Sequence, residues 1–140
     1  MTFFVDANVV LYAAVDGPYR DPCLQTLEAV AAGEADGRTS TAVLEEVWHI
    51  ERSGRIGDVD GLADRAYAVF TPLLAVTDEA FRTALELDAG TLGTNVRLHA
   101  ATCVANGIGE ILSADRGFEE VHSIRRTDPL DARALRRLLR

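Results

Sequence analysis

Two short apolar runs, each closely followed by an aspartate, most constrain what this chain can fold into. The run 3–5 precedes Asp6 directly, and the run 110–113 precedes Asp115 after one alanine. Short runs rich in large or β-branched apolar residues are typical of buried strands. Because helical patterns lie between such runs, we expect parallel strands with helices on both faces. The carboxyl ends of parallel strands meet at one edge, so Asp6 and Asp115 should face the same edge.

The rest of the chain alternates in the same way and predicts an α/β fold, with a central parallel sheet of about four to five short strands flanked by helices. At 140 residues it is expected to form a single domain, 1–140. Apolar spacing also places Trp48 and Phe81 in the core. Predicted strands cover 3–5, 38–40, 73–76, 110–113 and 121–124. Predicted helices cover 9–14, 22–32, 41–52, 59–70, 77–90, 94–105 and a last segment that starts at 128–129.

Asp6 has two compatible interpretations. It could cap the helix that comes next, since aspartate is a good N-cap. It could also be a site residue, because ligands of open α/β sheets lie at the carboxyl ends of the strands. Two carboxylates at one edge repel each other, and a divalent cation relieves that repulsion. Oxygen ligands of this kind suit Mg²⁺ or Mn²⁺.

The charge balance excludes several kinds of enzyme. The chain has 14 arginines and no lysine against 22 acids, a net charge of −8. A P-loop needs its phosphate-binding lysine, and so does an acidic α/β phosphatase. Arginines near the C-terminus have two interpretations: a solvated helix face, which we favour, or a patch that steers RNA past an acidic body. They are Arg125, Arg126, Arg133, Arg136, Arg137 and Arg140.

Cysteine usage and hydropathy favour a cytoplasmic protein. Cys23 and Cys103 lie far apart and form no C-x-x-C pair, which is typical of thiols in a reducing compartment. The longest apolar run, 9–15, is too short to cross a bilayer. We therefore expect no membrane association.

Three stretches of the chain carry, in order, four motifs that resemble those of PIN-domain ribonucleases. The length of the chain and the order of the motifs are most similar to the VapC toxins of toxin–antitoxin pairs. FFVDANVVLYA resembles the opening motif, in which the first metal-binding Asp ends strand one. STAVLEEVWHI resembles the second motif, in which a serine precedes the metal-site Glu by six residues; this aligns Ser40 with Glu46. NVRLHAATCVANGIGEILSADRGFE resembles the third and fourth motifs.

The resemblance implies a PIN-like three-layer fold and metal-dependent hydrolysis of RNA. Asp6, Glu46 and Asp115 would hold Mg²⁺ or Mn²⁺ and serve catalysis. Asn8 and Ser113 would support them by hydrogen bonds, although Asn8 could equally be an ordinary first-turn residue. The implied partners are an RNA substrate, a cognate VapB-like antitoxin and a second copy in a homodimer.

One position departs from the family pattern. Val96 stands where the family usually has Asp, and valine has no oxygen to offer a metal. Asn95 points about 100° away on a helix and does not simply replace it. A shifted register is the alternative, with Asp88 as the nearby acid. Val96 therefore predicts a weakened nuclease or, as the alternative, a catalytically inert RNA- or antitoxin-binding module.

The histidines are expected to be structural. His49 and His99 lie in apolar helices, where packed, hydrogen-bonded histidines are commoner than ligands or bases. His122 lies in a poorly patterned segment and receives no role.

Overall fold

Four parallel strands form the centre of a three-layer α/β fold. The structure is a computed structural model that describes residues 1–88 and 90–140. The sheet has the order β2-β1-β3-β4, and every neighbouring pair is parallel. The strands are β1 (Thr2–Val5), β2 (Asp36–Arg38), β3 (Glu110–Leu112) and β4 (Arg125–Thr127). The predicted fold class is confirmed.

Helices connect the strands. In the described ranges they are α1 (Ala7–Ala13), α2 (Arg20–Ala31), α3 (Thr41–Ser53), α4 (Leu62–Phe70), α5 (Asp78–Glu86), α6 (Thr94–Ala105) and α7 (Ala132–Leu138), with a short 3-10 helix at Arg116–Glu120. The first four helices pack against one another, and α5 packs against α6.

Strand β1 is the axis of the core. Phe3, Phe4 and Val5 are fully buried, as an apolar strand paired on both sides requires. Val5 lies opposite Leu112 of β3, and on the other side Phe4 lies opposite Arg38 of β2. The register therefore brings Asp6, the residue after β1, and Ser113, the residue after β3, to one position at the carboxyl edge.

Three strand predictions need correction. The segment 73–76 contributes only a parallel bridge between Leu74 and Ser40. The second strand lies at Asp36–Arg38, ahead of the predicted 38–40, where Gly37 approaches the ring of Phe3 closely. The last strand comes after the predicted 121–124 and lies at Arg125–Thr127, although Val121 and Ile124 are buried. Burial alone does not distinguish a strand from a packed loop.

Helix boundaries differ mainly at their starts. α2 begins at Arg20, so Asp21 lies in its first turn instead of capping it. α4 begins at Leu62, after Gly61. α7 begins at Ala132 with Asp131 as its N-cap. α5 ends at Glu86, before the predicted 90, and Ala89 lies outside the described residues.

Three side chains predicted to be packed are exposed. Trp48 is 56% exposed and Phe81 is 54% exposed, so neither belongs to the core. His49 is exposed as well. Helical spacing identified an apolar face correctly in α3, where Val43 and Val47 are buried, but it did not reveal which apolar residues another helix covers.

Both cysteines are free and buried. Burial raises the pKa of each thiol to about 12, so they act as small apolar side chains. Among the described residues, no helix is long and apolar enough to cross a membrane.

Candidate active site

Asp6 occupies the carboxyl end of the central strand. It is the N-cap of α1, and its Oδ1 accepts a hydrogen bond of 2.8 Å from the Ala7 N–H. Its backbone N–H continues the sheet by donating to Leu112 O. The residue is only 6% exposed. Asp6 is therefore both a helix cap and a buried carboxylate at the sheet edge, as the two compatible interpretations allowed.

Asn8 and Ser113 hold the second oxygen of Asp6. Ser113 Oγ donates to Asp6 Oδ2 at 2.6 Å, and Asn8 Nδ2 donates to the same oxygen at 3.1 Å. Asn8 Nδ2 also contacts Ser113 Oγ, and Asn8 Oδ1 accepts from the Ala114 N–H. These bonds join the first turn of α1 to the end of β3, and they fix the orientation of the Asp6 carboxylate.

Glu46 enters the site from α3. Ser40 lies after β2 and caps this helix by accepting from the Val43 N–H. Thr39 donates from its hydroxyl to Val5 O and ties the start of α3 to the central strand. Glu46 lies six residues after the cap, and its side chain is 28% exposed. Its Oε1 lies 2.7 Å from the Nε2 of His99.

His99 is a site residue that the sequence interpretation missed. It is 3% exposed, lies in α6 and places Nε2 between Glu46 Oε1 at 2.7 Å and Asp6 Oδ1 at 3.9 Å. The expectation that it is packed and hydrogen-bonded is met, but its partners are the two predicted site acids. One signal was available: His99 lies three residues after Val96, and side chains at that spacing share a helix face.

Val96 lies in the first turn of α6, on the face that carries His99, and it packs partly buried against the core. Asn95 is exposed and does not replace the missing acid. Asp88 is exposed beyond the end of α5, and it makes no described hydrogen bond to the site. Of these three residues, only Val96 is packed against the core on the helix face of His99.

Asp115 differs from the other two acids. It is exposed, and its Oδ1 accepts from the Gly117 N–H, which caps the 3-10 helix. Its backbone N–H donates to Ser113 Oγ, the group that also binds Asp6. In the described part of the chain, no hydrogen bond joins its carboxylate to Asp6 or Glu46. Asp115 thus borders the site, while Asp6, Glu46 and His99 form its centre.

Burial dominates the electrostatics of this centre. It raises the pKa of the Asp6 carboxyl above its ordinary value of 3.8, and Glu46 adds to the effect. His99 and the hydrogen bonds from Ser113 and Ala7 oppose it without cancelling it. Burial thus disfavours the ionised form of Asp6, and a cation close to the carboxylate would offset that cost.

The donor set fits one hydrated cation better than a closed protein cage. Within residues 1–88 and 90–140, no three His, Cys, Asp or Glu side chains are already arranged around a common metal position. Mg²⁺ usually keeps several waters and takes one or two carboxylates together with substrate phosphates. Asp6 and Glu46 are two such carboxylates, and Val96, on the helix face of His99, has no oxygen to add to them.

Two of the C-terminal arginines are structural. Arg126 donates to Ser113 O and pairs with Glu119 and Asp128, and Arg137 pairs with Glu110. Their guanidinium groups hold the edge strand and the last helix in place. The other four arginines of the group, Arg125, Arg133, Arg136 and Arg140, are exposed.

The fold has close counterparts among solved structures. One is VapBC2 from Rickettsia felis bound to a DNA fragment from its promoter, with 18% identity, a TM-score of 0.67, and coverage of 91% of this chain and 98% of that chain. Another is PAE2754 from Pyrobaculum aerophilum, with 16% identity, a TM-score of 0.60, and coverage of 99% and 95%. At these identities the likeness concerns the fold alone.

Sequence comparison supplies the family. No curated protein matches the chain. The family description "PIN domain" matches residues 3–123, which is most of its length and includes Asp6, Glu46, His99 and Asp115. The chain therefore belongs to the PIN domain family.

Proposed function

We propose that this protein is a divalent-metal-dependent endoribonuclease, the toxin of a toxin–antitoxin pair, with a centre weakened by Val96. The observation that carries the proposal is the pair formed by Asp6 and Glu46. The sheet edge buries one carboxylate and brings the second close to it, around a single imidazole nitrogen. PIN domains are generally nucleases, and two converging carboxylates are the minimum such a centre needs.

In this proposal Asp6 and Glu46 would hold Mg²⁺ or Mn²⁺, and Asp115 would contribute to the same site directly or through water. A bound divalent cation would supply Lewis acidity, lowering the pKa of a water and offsetting charge on the scissile phosphate. Glu46 would orient the attacking water. Ser113 and Asn8 hold the Asp6 carboxylate in one orientation, because both donate to it.

Val96 is the residue on which the proposed activity depends. Val96→Asp adds a carboxylate of similar size on the helix face that carries His99. We expect Mg²⁺ affinity and Mg²⁺-dependent cleavage of a structured RNA mixture to rise by about 10- to 100-fold, the range typical of changes around a metal centre.

Val104→Asp is the matched control, because it places the same charge on an exposed position of the same helix. It should leave both quantities unchanged. If Val96→Asp remains folded and gains neither cation affinity nor cleavage, the nuclease proposal is wrong.

A second candidate is an inert PIN-fold module that binds RNA or antitoxin without turnover. The missing acid at Val96 and the lack of a ready three-ligand cluster in the described ranges favour it. Mn²⁺ titration of the unaltered protein separates the two candidates. Binding that disappears in Asp6→Asn supports the nuclease, and absence of binding up to millimolar Mn²⁺ supports the inert module.

A VapB-like antitoxin is the proposed partner, supported by the fold shared with the VapBC2 complex. A groove of about 430 Å³ between α3 and α4 is a candidate docking surface. Its walls carry the apolar side chains of Leu44, Trp48 and Tyr67 beside the acids Glu45 and Asp64, so it suits an apolar segment with basic residues. Trp48 is the only tryptophan, and its fluorescence should shift to the blue when the product of the adjacent gene binds.

A homodimer is proposed as the working form. Phe81 and Leu85 leave an apolar stripe exposed on α5, at 54% and 73% exposure. A second copy would cover this stripe. Sedimentation of the unaltered protein and of Leu85→Asp tests it, and the variant should sediment as a monomer.

A further inference from the structure

The pairing of His99 with Glu46 gives this histidine a defined task in the centre. The two residues stand 53 positions apart and join α6 to α3 through a contact of 2.7 Å. The imidazole ring lies beside Phe4 of the central strand, with ring centroids 6.0 Å apart. Since the ring is 3% exposed and flanked by this phenyl group, its orientation is restricted.

Hydrogen bonding identifies which ring nitrogen carries the proton. Nδ1 of His99 is buried and has no hydrogen-bond partner among the described residues. A proton on Nδ1 would create a buried N–H without an acceptor, which is more costly than a bare lone pair. The arrangement favours the tautomer with its proton on Nε2, so Nε2–H donates to Glu46 Oε1.

This hydrogen bond determines which carboxylate oxygen of Glu46 is available to a ligand. Oε1 is occupied by His99, while Oε2 has no described hydrogen-bond donor. Without the bond, a glutamate side chain with 28% exposure would sample several rotamers. With the bond, one oxygen is fixed and the other is available beside Asp6.

We propose that His99 is a positioning residue, which donates its Nε2–H to Glu46 and holds this carboxylate ready for a divalent cation or its water. The inference rests on the proposed function and deepens it. In this role His99 does not take the place of the metal ion, and it does not bind the metal ion as a ligand. It compensates in part for Val96, because it stabilises the geometry of an acid that remains.

The tautomer is tested by NMR of the imidazole nitrogens in ¹⁵N-histidine protein near neutral pH. We expect Nε2 to carry the proton in the protein without metal. We expect it to keep this proton when excess Mg²⁺ is added; Mg²⁺ is used here because it is diamagnetic and Mn²⁺ is not. A proton on Nδ1 would overturn the proposal. Loss of the Nε2 proton on adding the cation would overturn it too, because His99 would then be a nitrogen ligand.

Conservative replacement separates positioning from space filling. His99→Gln keeps an N–H donor near the place of Nε2, whereas His99→Leu keeps only bulk. We expect His99→Leu to lower Mn²⁺ affinity by about 10- to 100-fold, as for other groups that orient metal ligands, and His99→Gln to recover most of it. His49→Leu, at an exposed position of α3, is the control and should change nothing.

Equal losses in the folded Gln and Leu variants, or no loss in either, would contradict the positioning role. If the unaltered protein binds no Mn²⁺, the nuclease proposal fails by itself and a double-mutant cycle decides the present one. His99→Leu and Glu46→Leu should then be non-additive in the free energy of unfolding, since each removes the same bond. Additive effects would show that the two side chains do not interact.

Discussion

The two strand ends that are alike in sequence become unlike in structure. Asp6 and Asp115 each come after a short apolar strand, yet Asp6 is buried with donors on both oxygens, while Asp115 is exposed. The difference arises from the element that each acid introduces. Asp6 leads directly into α1, whose first turn is largely buried, whereas Asp115 begins a short 3-10 helix at the surface. The same residue type at the same sheet edge can therefore anchor a centre or merely border it.

Cation binding should reveal the largest difference between the two acids. Asp6→Asn is expected to abolish measurable Mn²⁺ binding, because it removes the buried charge that attracts the cation. Asp115→Asn should weaken binding by roughly tenfold or less, since its carboxylate is exposed and its contribution passes through water. Isothermal calorimetry measures both. Equal losses would mean that Asp115 moves into the centre when the cation binds.

Ser113 joins the two acids, and its removal should be the next largest effect. Its hydroxyl donates to Asp6 Oδ2 and accepts from Asn8 and from the Asp115 N–H. Ser113→Ala removes one of the two donors to the buried Asp6 Oδ2 and leaves the Asp115 N–H without its acceptor, so it should cost about 1–3 kcal/mol in the free energy of unfolding. Urea denaturation checks this, with Ser123→Ala at an exposed position as the control. A loss no greater than the control's would show that water replaces the hydroxyl.

The pH dependence of stability should show a smaller effect, which concerns the buried acid Asp6. The Asp6 pKa is raised above 3.8, so the folded protein binds this proton more tightly than the unfolded chain. Stability contributed by the group is complete below pH 3.8 and falls as the pH rises through the folded pKa. Without metal, Asp6→Asn should therefore melt higher than the unaltered protein at about pH 7, and the gap should close in acid. Melting curves across this range test it, and a lower melting temperature at neutral pH would show that capping outweighs buried charge.

The smallest expected effect is that of Asp115→Asn on the free energy of unfolding. Asparagine can also accept from the Gly117 N–H, and the position is exposed. The change in the free energy of unfolding should stay within about 0.5 kcal/mol. A larger loss would show that the carboxylate's charge, beyond its cap, stabilises the 3-10 helix.

Sequence patterns predicted the parts of this molecule that depend on local chemistry. The strands at 3–5 and 110–113 depend on apolar runs, and the starts of α3 and α5, predicted at 41 and 77, depend on side-chain hydrogen bonds to nearby N–H groups. The same information predicted that Asp6 and Asp115 face one edge of the sheet, because the carboxyl ends of parallel strands lie together.

Long-range packing accounts for what the patterns did not predict. Nothing within α6 indicates that His99 meets Glu46, because that contact depends on how two distant helices cross. Trp48 and Phe81 have core-like spacing, but the described chain leaves more than half of each side chain exposed. The predicted strand at 73–76 pairs with the rest of the chain through one bridge, between Leu74 and Ser40, and so does not extend the sheet. Each difference concerns contacts between elements, which periodicity does not encode.

The hydrogen bonds of Arg97, next to Val96, restrict how far the first turn of α6 can move when a site residue is substituted. Its guanidinium group donates to the carbonyls of Leu87, Gly90 and Leu92, so three bonds fasten these residues to the first turn of α6. The first turn of α6 therefore resists translation or rotation when its side chains are altered. A substitution at Val96 should therefore act on the site through its own side chain, with little movement of the helix backbone.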